Sequence, residues 1–418
     1  MDKLLDVLQE KLVPVAGKLS SNKYLSSLSE TFQVLMPVIL IGSFACLGAF
    51  LNISAWQTFI ASTGLNMIFM GLQSITLSIL SLYFIIVLPY RLSTKLDVAP
   101  MPTAITALIA FLVVTPIELY TSIPLEWLGH SGLFTAMIIG FLVPPIVKFL
   151  EKNKIYIKMP DSVPQFVEQS FKSVVPALVV AILAIIASML AAATPYENLH
   201  NLIFSLVQAP LKGIGLSLPG YLIAQIFTTL FMFCGIHGNA VISLLSPLQL
   251  AASAENLEAL SAGLGLPNIL VSSFNLYVQP GGIGCALAGC IAILLFAKSS
   301  RYKSFGRVAI IPSIFNISEP FLFGVPCLLN PIMFIPWMLC PIVNTLLAYF
   351  ATYTGIVARL SGISVDWTIP QFFSGLLGGG ITAGILQLVL ITINVFIYLP
   401  FIKVLDRQAV AEEAANSK

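Results

Sequence analysis

The chain has 418 residues, of which 58% are hydrophobic and only 9% are charged, against roughly 45–50% and 25% in soluble domains. So few charges cannot cover the surface of a soluble protein of this size, so lipid must form part of its solvent. The formal net charge of +2 argues against a nucleic-acid partner, because binding to phosphates requires a basic face.

Residues 1–29 predict a helix that lies on the membrane surface, in contact with lipid. Apolar residues recur on one helical face with lysines on the other, and they include Leu4, Leu5, Leu8, Leu12, Val15 and Leu19. This pattern is typical of interfacial amphipathic helices. The segment begins with mixed charges and lacks an early apolar core, so it does not resemble a cleavable signal.

Long stretches without Asp, Glu, Lys or Arg follow, over residues 31–90, 173–196, 320–358 and 367–402. An apolar run of about 20 residues crosses the hydrocarbon core as a helix. A charge at its centre costs about 2.5–3.5 kcal/mol. The sequence therefore predicts about ten spans, near residues 30–52, 66–90, 103–120, 131–150, 173–194, 218–236, 264–280, 281–297, 331–356 and 377–400, with 264–280 the weakest of them.

Basic residues recur in alternate short loops, among them Lys23, Arg91, Lys95, Lys152, Lys303 and Lys403. The intervening loops carry Glu126, Glu197 and Asp366, with Arg359 as the main exception. Short cytoplasmic loops hold the excess of Lys and Arg in membrane proteins. The sequence thus predicts a multi-pass protein of the bacterial cell (inner) membrane with both termini in the cytoplasm.

A basic, proline-containing stretch after residue 150 is the clearest break in composition. It divides the chain into a first transmembrane domain with four spans, a linker with the fifth span, a second transmembrane domain and a short cytoplasmic tail. The predicted boundaries are 30–150, 151–196, 197–405 and 406–418.

Two segments of the second domain, near 237–263 and 305–330, contain too many Pro, Gly and Asn residues for simple spans. They are also too apolar for ordinary loops. Broken backbone at membrane depth occurs only where protein or a water-filled cavity satisfies its polar groups. Transporters place such broken helices around the substrate. We therefore expect two re-entrant segments there, and the functional site beside them.

Glu319 is the first candidate site residue. It is a lone carboxylate that precedes the uncharged stretch 320–358, and an ionisable group within the membrane marks a functional site by default. In a partly dry cavity it could accept a hydrogen bond from a substrate hydroxyl and remove its proton. The alternative is a wetted, inert carboxylate at the membrane interface.

His237 is the second candidate, between glycines that allow close approach of the backbone and next to Asn239. The alternative is a core histidine with its hydrogen bonds satisfied. The other two histidines, His130 and His200, are near span ends beside polar residues. We interpret both of them as interfacial.

Two further features suit a sugar. The ring of Trp367 could pack on the C–H face of a pyranose, although interfacial tryptophans usually serve as membrane anchors. The run from Gln279 to Gly284, which includes Gly282, opens a predicted helix whose free backbone N–H groups could receive an anion. Glycines in membrane helices are, however, more often packing positions.

No cofactor or metal is expected. Nucleotide-binding and hydrolase motifs do not occur in the sequence, so ATP-driven transport by this chain is unsupported. All six cysteines lie in apolar stretches without a paired metal-binding spacing. We interpret them as buried, reduced thiols.

These motifs resemble the enzyme IIC subunits of the lactose/cellobiose/diacetylchitobiose branch of the bacterial phosphotransferase system. The resemblance covers essentially the whole chain, and Asn-x-x-Glu-Pro is its most specific element. The segments that carry it are Gly235-Ile236-His237-Gly238-Asn239, Gly281-Gly282-Ile283-Gly284, Phe315-Asn316-Ile317-Ser318-Glu319-Pro320 and Trp367-Thr368-Ile369-Pro370. Ser318, where Asn is common, and Gln279 depart locally from the pattern.

The resemblance implies an all-α fold of ten spans and two re-entrant hairpins, with an N-terminal dimerisation domain and a C-terminal substrate domain. It implies that His237, Asn239, Gly282, Asn316, Glu319 and Trp367 bind a β-linked disaccharide. His237 and Glu319 would also take part in its 6-phosphorylation. Separate cytosolic IIB and IIA subunits would supply the phosphoryl group from a phosphocysteine, so that transporter and partner share the enzymatic step.

Two other functions stay open at this stage. A proton-coupled sugar transporter, with Glu319 as the proton carrier, fits the broken helices equally well. An intramembrane enzyme acting on a lipid-linked sugar should carry a metal-binding carboxylate pair or an Arg/Lys cluster in the membrane, and neither is seen. Which disaccharide is transported, and what Ser318 and Gln279 do, also stays open.

Overall fold

The computed structural model describes residues 21–50, 54–116, 123–160, 163–233, 239–325, 327 and 330–416. Within these ranges the secondary structure is helical, without strands, as the composition predicts. Residues 1–20 of the expected surface segment 1–29 lie outside the described part of the chain, as does His237, and the last residues of that segment belong to the helix that begins at Lys23.

Residues Ser21–Gly215 form one compact unit. Its centre is the helix Leu80–Leu96, where Phe84, Leu88 and Leu92 are completely buried. Burying such a side chain stabilises the fold by roughly 1.5–3 kcal/mol. The helices of this unit are α1 (Lys23–Phe50), α2 (Ser54–Thr63), α3 (Leu65–Ser74), α4 (Leu80–Leu96), α5 (Pro100–Val114), α6 (Leu125–Leu128), α7 (Leu133–Lys152), α8 (Gln165–Ala192), α9 (Leu199–Ile203) and α10 (Ala209–Gly215).

Residues Leu216–Lys418 belong to the second unit. Its core contains Trp337, Phe321 and Tyr398, all at most 1% exposed. The helices of this unit are α11 (Leu218–Phe233), α12 (Asn239–Ser261), α13 (Asn275–Val278), α14 (Ala286–Phe296), α15 (Ser300–Ile314), α16 (Glu319–Gly324), α17 (Pro331–Tyr353), α18 (Phe373–Gly379) and α19 (Ile381–Asn416).

Six helical stretches of the described chain are long and apolar enough to cross a membrane: Lys23–Phe50, Leu65–Leu96, His130–Lys152, Val167–Ala192, Pro331–Tyr353 and Ile381–Ala415. Leu199–Gly215 and Leu218–Phe233 would make a seventh if they were counted together, and α5 and α14 are shorter apolar helices. The region 264–280, the weakest predicted span, contains only a 3-10 turn and the single-turn helix α13, so it is not a spanning helix.

The contacts divide the chain at Leu216, whereas the sequence suggested residue 197. Residues after 197 pack in the first unit because His200 is buried there, against Trp127 at 4.7 Å between ring centroids. Its Nε2 lies 3.2 Å from the hydroxyl of Thr115. His200 is therefore a core residue and not an interfacial one.

The segment 237–263, predicted to be broken, forms the continuous helix α12 from Asn239 onwards. Its polar residues do not interrupt it, because their side chains bond the neighbouring non-helical chain. The amide of Asn256 donates to the carbonyls of Asn268 and Leu360 at 2.9 Å each. The hydroxyl of Ser253 accepts the N–H of Ser272 at 2.9 Å.

The segment 305–330 has the predicted break. Helix α15 ends at Ile314, a turn follows, and the short helix α16 begins at Glu319. The polar residues of this turn, together with the prolines and glycines around it, end one helix and start the next.

The predicted cytoplasmic tail after residue 405 continues helix α19 to Asn416. Two of its carboxylates hold the start of α15. Asp406 accepts the N–H groups of Lys298 and Ser299 at 2.7 and 2.9 Å. Glu413 accepts those of the next two residues at 3.2 and 2.9 Å. The first N–H groups of a helix lack partners within the helix, so these bonds stabilise both elements.

Candidate functional site

Three of the predicted site residues, Gly282, Asn316 and Trp367, come together in the second unit through direct hydrogen bonds and backbone contact. They belong to three separate segments of the chain: the turn before α14, the turn before α16 and the loop before α18. For Glu319 and Asn239 the structure describes the backbone position, at the first residue of α16 and of α12.

The turn from Gly281 to Gly284, here called the glycine turn, needs its glycines. Gly281, Gly282 and Gly284 have φ angles of 84°, 93° and 76°, a region that residues with a Cβ rarely adopt. A Cβ on Gly284 would lie 2.3 Å from the ring of Trp337. The hydroxyl of Tyr398 donates to the Gly284 carbonyl. Two large buried side chains, Trp337 and Tyr398, thus pack against the glycine turn and fix its position.

Asn316 occupies the turn between α15 and α16 with a φ of 62°. Its side-chain oxygen accepts the N–H of Gly281 at 2.8 Å and the Nε2 of Gln371 at 2.8 Å. Its Nδ2 donates to the carbonyls of Trp367 at 2.6 Å and Ile369 at 3.1 Å. An Asn amide offers two donors and two acceptor positions, so all four are in use within the protein.

Sequence reasoning missed two amides, Gln371 and Gln387. Gln387 is completely buried, and its Oε1 accepts the N–H groups of Phe372 and Gly375 at 2.8 Å each. Its Nε2 donates to the hydroxyl of Ser374 at 2.9 Å. The available signal was a glutamine inside an otherwise apolar span, since an amide within a membrane helix seeks a partner.

Trp367 is 55% exposed within the described chain, while its backbone is held by Asn316. The loop around it is shaped locally by Asp366, whose Oδ1 accepts the N–H and the hydroxyl of Thr368 at 2.8 and 2.5 Å. An indole held at its backbone and open on its surface suits stacking on an apolar face.

Helix α16 begins beside the glycine turn. A Cβ on Gly282 would lie 2.5 Å from the carbonyl oxygen of Asn316 and 2.9 Å from the Cβ of Ser318. The glycine turn and the Asn316 turn are therefore in close contact at Gly282, and Glu319 follows Ser318 directly in the chain. Phe321, 1% exposed, anchors α16 against Gly289, where a Cβ would lie 2.2 Å from its ring.

The cysteines of the described chain do not offer a reactive thiol. Cys46, Cys285, Cys290, Cys327 and Cys340 are free and buried, as the sequence predicts. A thiol must be accessible as a thiolate to act as a nucleophile or phosphoryl carrier. These five are not. Cys234 lies outside the described residues.

The model of the family "Phosphotransferase system, EIIC" matches residues 29–341. The chain is 35% identical to the lichenan permease IIC component of Bacillus subtilis (strain 168), over 99% of this chain and 96% of that protein. It is 34% identical to the cellobiose-specific EIIC component of Geobacillus stearothermophilus, over 100% of this chain and 97% of that protein.

The structure is also similar to the crystal structure of ChbC, the IIC component from the N,N'-diacetylchitobiose-specific phosphotransferase system. The TM-score is 0.93 at 36% sequence identity, and the match covers 97% of this chain and 99% of the other. Sequence and fold comparisons thus agree along the whole chain.

Proposed function

Because this chain belongs to the phosphotransferase system EIIC family, we propose that it is the sugar permease subunit of such a system and carries a β-linked disaccharide of the cellobiose or diacetylchitobiose class. Transport is coupled to 6-phosphorylation of the sugar by a phosphocysteine on a IIB partner, which a IIA subunit recharges. The relatives named for lichenan, cellobiose and diacetylchitobiose support this substrate class.

The observation that carries the proposal is the junction of three segments at one place. The glycine turn, the Asn316 turn and the Trp367 loop are joined by the amide of Asn316. At this junction the partly buried Gly282, the backbone of the Trp367 loop and the turn before the Glu319 helix meet. Sugar sites combine such an apolar platform with a few placed polar groups.

In this proposal Glu319 accepts the hydrogen bond of the reactive hydroxyl and acts as base while the phosphoryl group arrives. His237 positions that hydroxyl and donates to the incoming phosphoryl oxygens. Trp367 stacks on a sugar ring, Asn239 adds a polar contact, and Gly282 lets the sugar approach the backbone. Asn316 contributes through the segments it joins, since its own amide is fully used.

Phosphorylation drives accumulation without an ion gradient. A neutral disaccharide can leave again through its carrier, but a sugar phosphate has about two negative charges and is retained. The donor is a separate protein in this proposal, because the five described cysteines are buried. A phosphocysteine has to reach the cytosol.

Uptake into vesicles tests this function. Radiolabelled cellobiose and diacetylchitobiose should enter as 6-phosphates when phosphorylated IIB is inside, and a protonophore should have no effect. Without the donor, no accumulation is expected. Accumulation of unmodified sugar driven by a proton gradient would contradict the proposal and favour the proton-coupled transporter.

For the architecture we propose about ten spans with two re-entrant segments, near 237–263 and 305–330, in the bacterial inner membrane with both termini cytoplasmic. The protein is a homodimer through the spans of the first domain. The continuous helix α12, followed by non-helical chain bonded to its side chains, suits one re-entrant hairpin. Helices α15 and α16, with their turn, suit the other.

Engineered cysteines test this architecture. A cysteine replacing Lys154 should react with an impermeant reagent from the cytoplasmic side, and one replacing Glu197 from the outside, because the predicted topology puts them on opposite faces. Crosslinks between protomers should map before residue 151. Crosslinks confined to residues after Tyr221 would show that the second domain makes the dimer.

A further inference from the structure

Two amide side chains join neighbouring parts of the second unit. Asn316 connects the N–H of Gly281 in the glycine turn with the carbonyls of Trp367 and Ile369. Gln387, from helix α19, connects the carbonyl of Leu276 in α13 at 3.3 Å with the N–H groups of Phe372 and Gly375 at the start of α18. Asn316 therefore bridges the glycine turn to the Trp367 loop directly, and Gln387 bridges the short helices that flank them.

Gln371 completes this arrangement. It lies in the bridged loop, is 8% exposed, and donates to Asn316 at 2.8 Å. We call Asn316, Gln371 and Gln387 the amide frame. The amides of Asn316 and Gln387 use both their donors and their oxygen on protein groups, so neither has spare donors for a sugar.

The position of the exposed Trp367 indole depends on how its loop is held. Trp367 projects from a loop whose carbonyl is fixed by Asn316, and the reactive end of the proposed site is the glycine turn beside the start of α16. A disaccharide with one ring on Trp367 and the other at the turn must match the distance between them. Hydrogen bonds that hold two site segments together preorganise that distance.

We propose that the amide frame is a specificity-determining device: it positions Trp367 relative to the glycine turn and so selects disaccharides by length and linkage. The inference rests on the proposed sugar-binding function. Its three residues are positioning residues, because they act through Trp367 and the turn. The amide frame contributes little to the binding affinity of a single-ring ligand, which occupies only the position at the glycine turn.

Asn316→Asp is the main test. Aspartate keeps the size and the acceptor oxygen but loses both N–H donors, so the carbonyls of Trp367 and Ile369 lose their partners. The Trp367 loop is then no longer tied to the Asn316 turn, and a two-ring ligand loses part of the preorganisation of its site. Binding of cellobiose should weaken by about tenfold, while binding of methyl β-glucoside, a single-ring probe, should change less than about threefold.

Asn256→Asp is the matched control. Like that of Asn316, the Nδ2 of Asn256 donates to two carbonyls, at 2.9 Å each, but they belong to Asn268 and Leu360. Asn256 is completely buried, whereas Asn316 is partly buried. A merely structural loss should lower the yield or thermal midpoint in this variant and leave the ratio of cellobiose to methyl β-glucoside affinity at the wild-type value.

Calorimetry on the purified full chain measures both affinities without IIB. A tenfold fall of the ratio in Asn316→Asp but not in Asn256→Asp supports the inference, and an unchanged ratio in Asn316→Asp overturns it. If Asn316→Asp does not fold, Gln371→Met, which removes one donor from the frame, must shift the ratio in the same direction or the inference is overturned. Absence of phosphorylation by IIB in the wild type would defeat the proposed function while leaving this ratio measurable.

Discussion

Glu319→Gln is expected to lower formation of sugar 6-phosphate by about 10²–10⁴-fold, the usual contribution of a positioned general base, while disaccharide binding stays measurable. Glutamine keeps the size of the side chain and an acceptor oxygen but removes the charge. The variant can therefore still accept a hydrogen bond from the reactive hydroxyl, but it cannot take its proton. Calorimetry with cellobiose and product analysis with phosphorylated IIB measure the two quantities separately.

Two comparisons sharpen this experiment. Glu412→Gln removes a carboxylate from the same unit, where it is exposed and lies 3.5 Å from Arg301, and should leave both quantities near wild type. His237→Ala should weaken binding and phosphorylation together, because it removes a contact made before the chemical step. Normal phosphorylation by Glu319→Gln would show that Glu319 only binds the sugar.

Gly282→Ala is expected to reduce phosphorylation by roughly 10²-fold. Its Cβ would lie 2.5 Å from the carbonyl oxygen of Asn316, at a φ of 93°. The strained backbone conformation costs about 1–3 kcal/mol of stability, and a displacement of about 1 Å at a reacting site can cost roughly 10²-fold in rate. The clash adds to the strain, because the nearest atom is a backbone carbonyl of the turn before Glu319 and not the end of a flexible side chain. The glycine turn and the Asn316 turn must move apart.

Gly355→Ala provides the control for the backbone conformation alone. Gly355 has a φ of 78° and no heavy atom within 4 Å of its added Cβ. It should lose some thermal stability and keep its phosphorylation rate per folded molecule. The rate is therefore normalised to folded protein, measured by size exclusion in detergent. A Gly282→Ala protein with the wild-type rate would remove the glycine turn from the proposed site.

The amino-acid sequence alone determined the class of the protein and its spanning segments. Charge-free apolar runs can only be stable in lipid as helices, so composition and hydropathy were sufficient for the all-helical fold and most span positions. Gly282 and Trp367 were candidates from their residue types and positions, and the family resemblance added Asn316. The structure brings the three into one junction.

Tertiary contacts, and not the local sequence, explain why α12 is continuous and why α19 extends past residue 405. The polar residues that suggested a break in α12 are satisfied by a neighbouring stretch of chain, through Asn256 and Ser253. The tail after residue 405 remains helical while Asp406 and Glu413 accept the free N–H groups at the start of α15. Local patterns do not show whether a distant partner is present.

The sequence likewise did not show which residues form the amide frame. Asn316 lies 35 residues from Gly281 and 51 from Trp367 along the chain, and Gln387 lies in an apolar span with no motif around it. An amide in a membrane segment signals that a partner exists, but which backbone groups it meets depends on how the helices pack. The sequence therefore determined which residues are candidates for the site, and only the packing of α15 and α19 decided which backbone groups the amides of Asn316 and Gln387 bond.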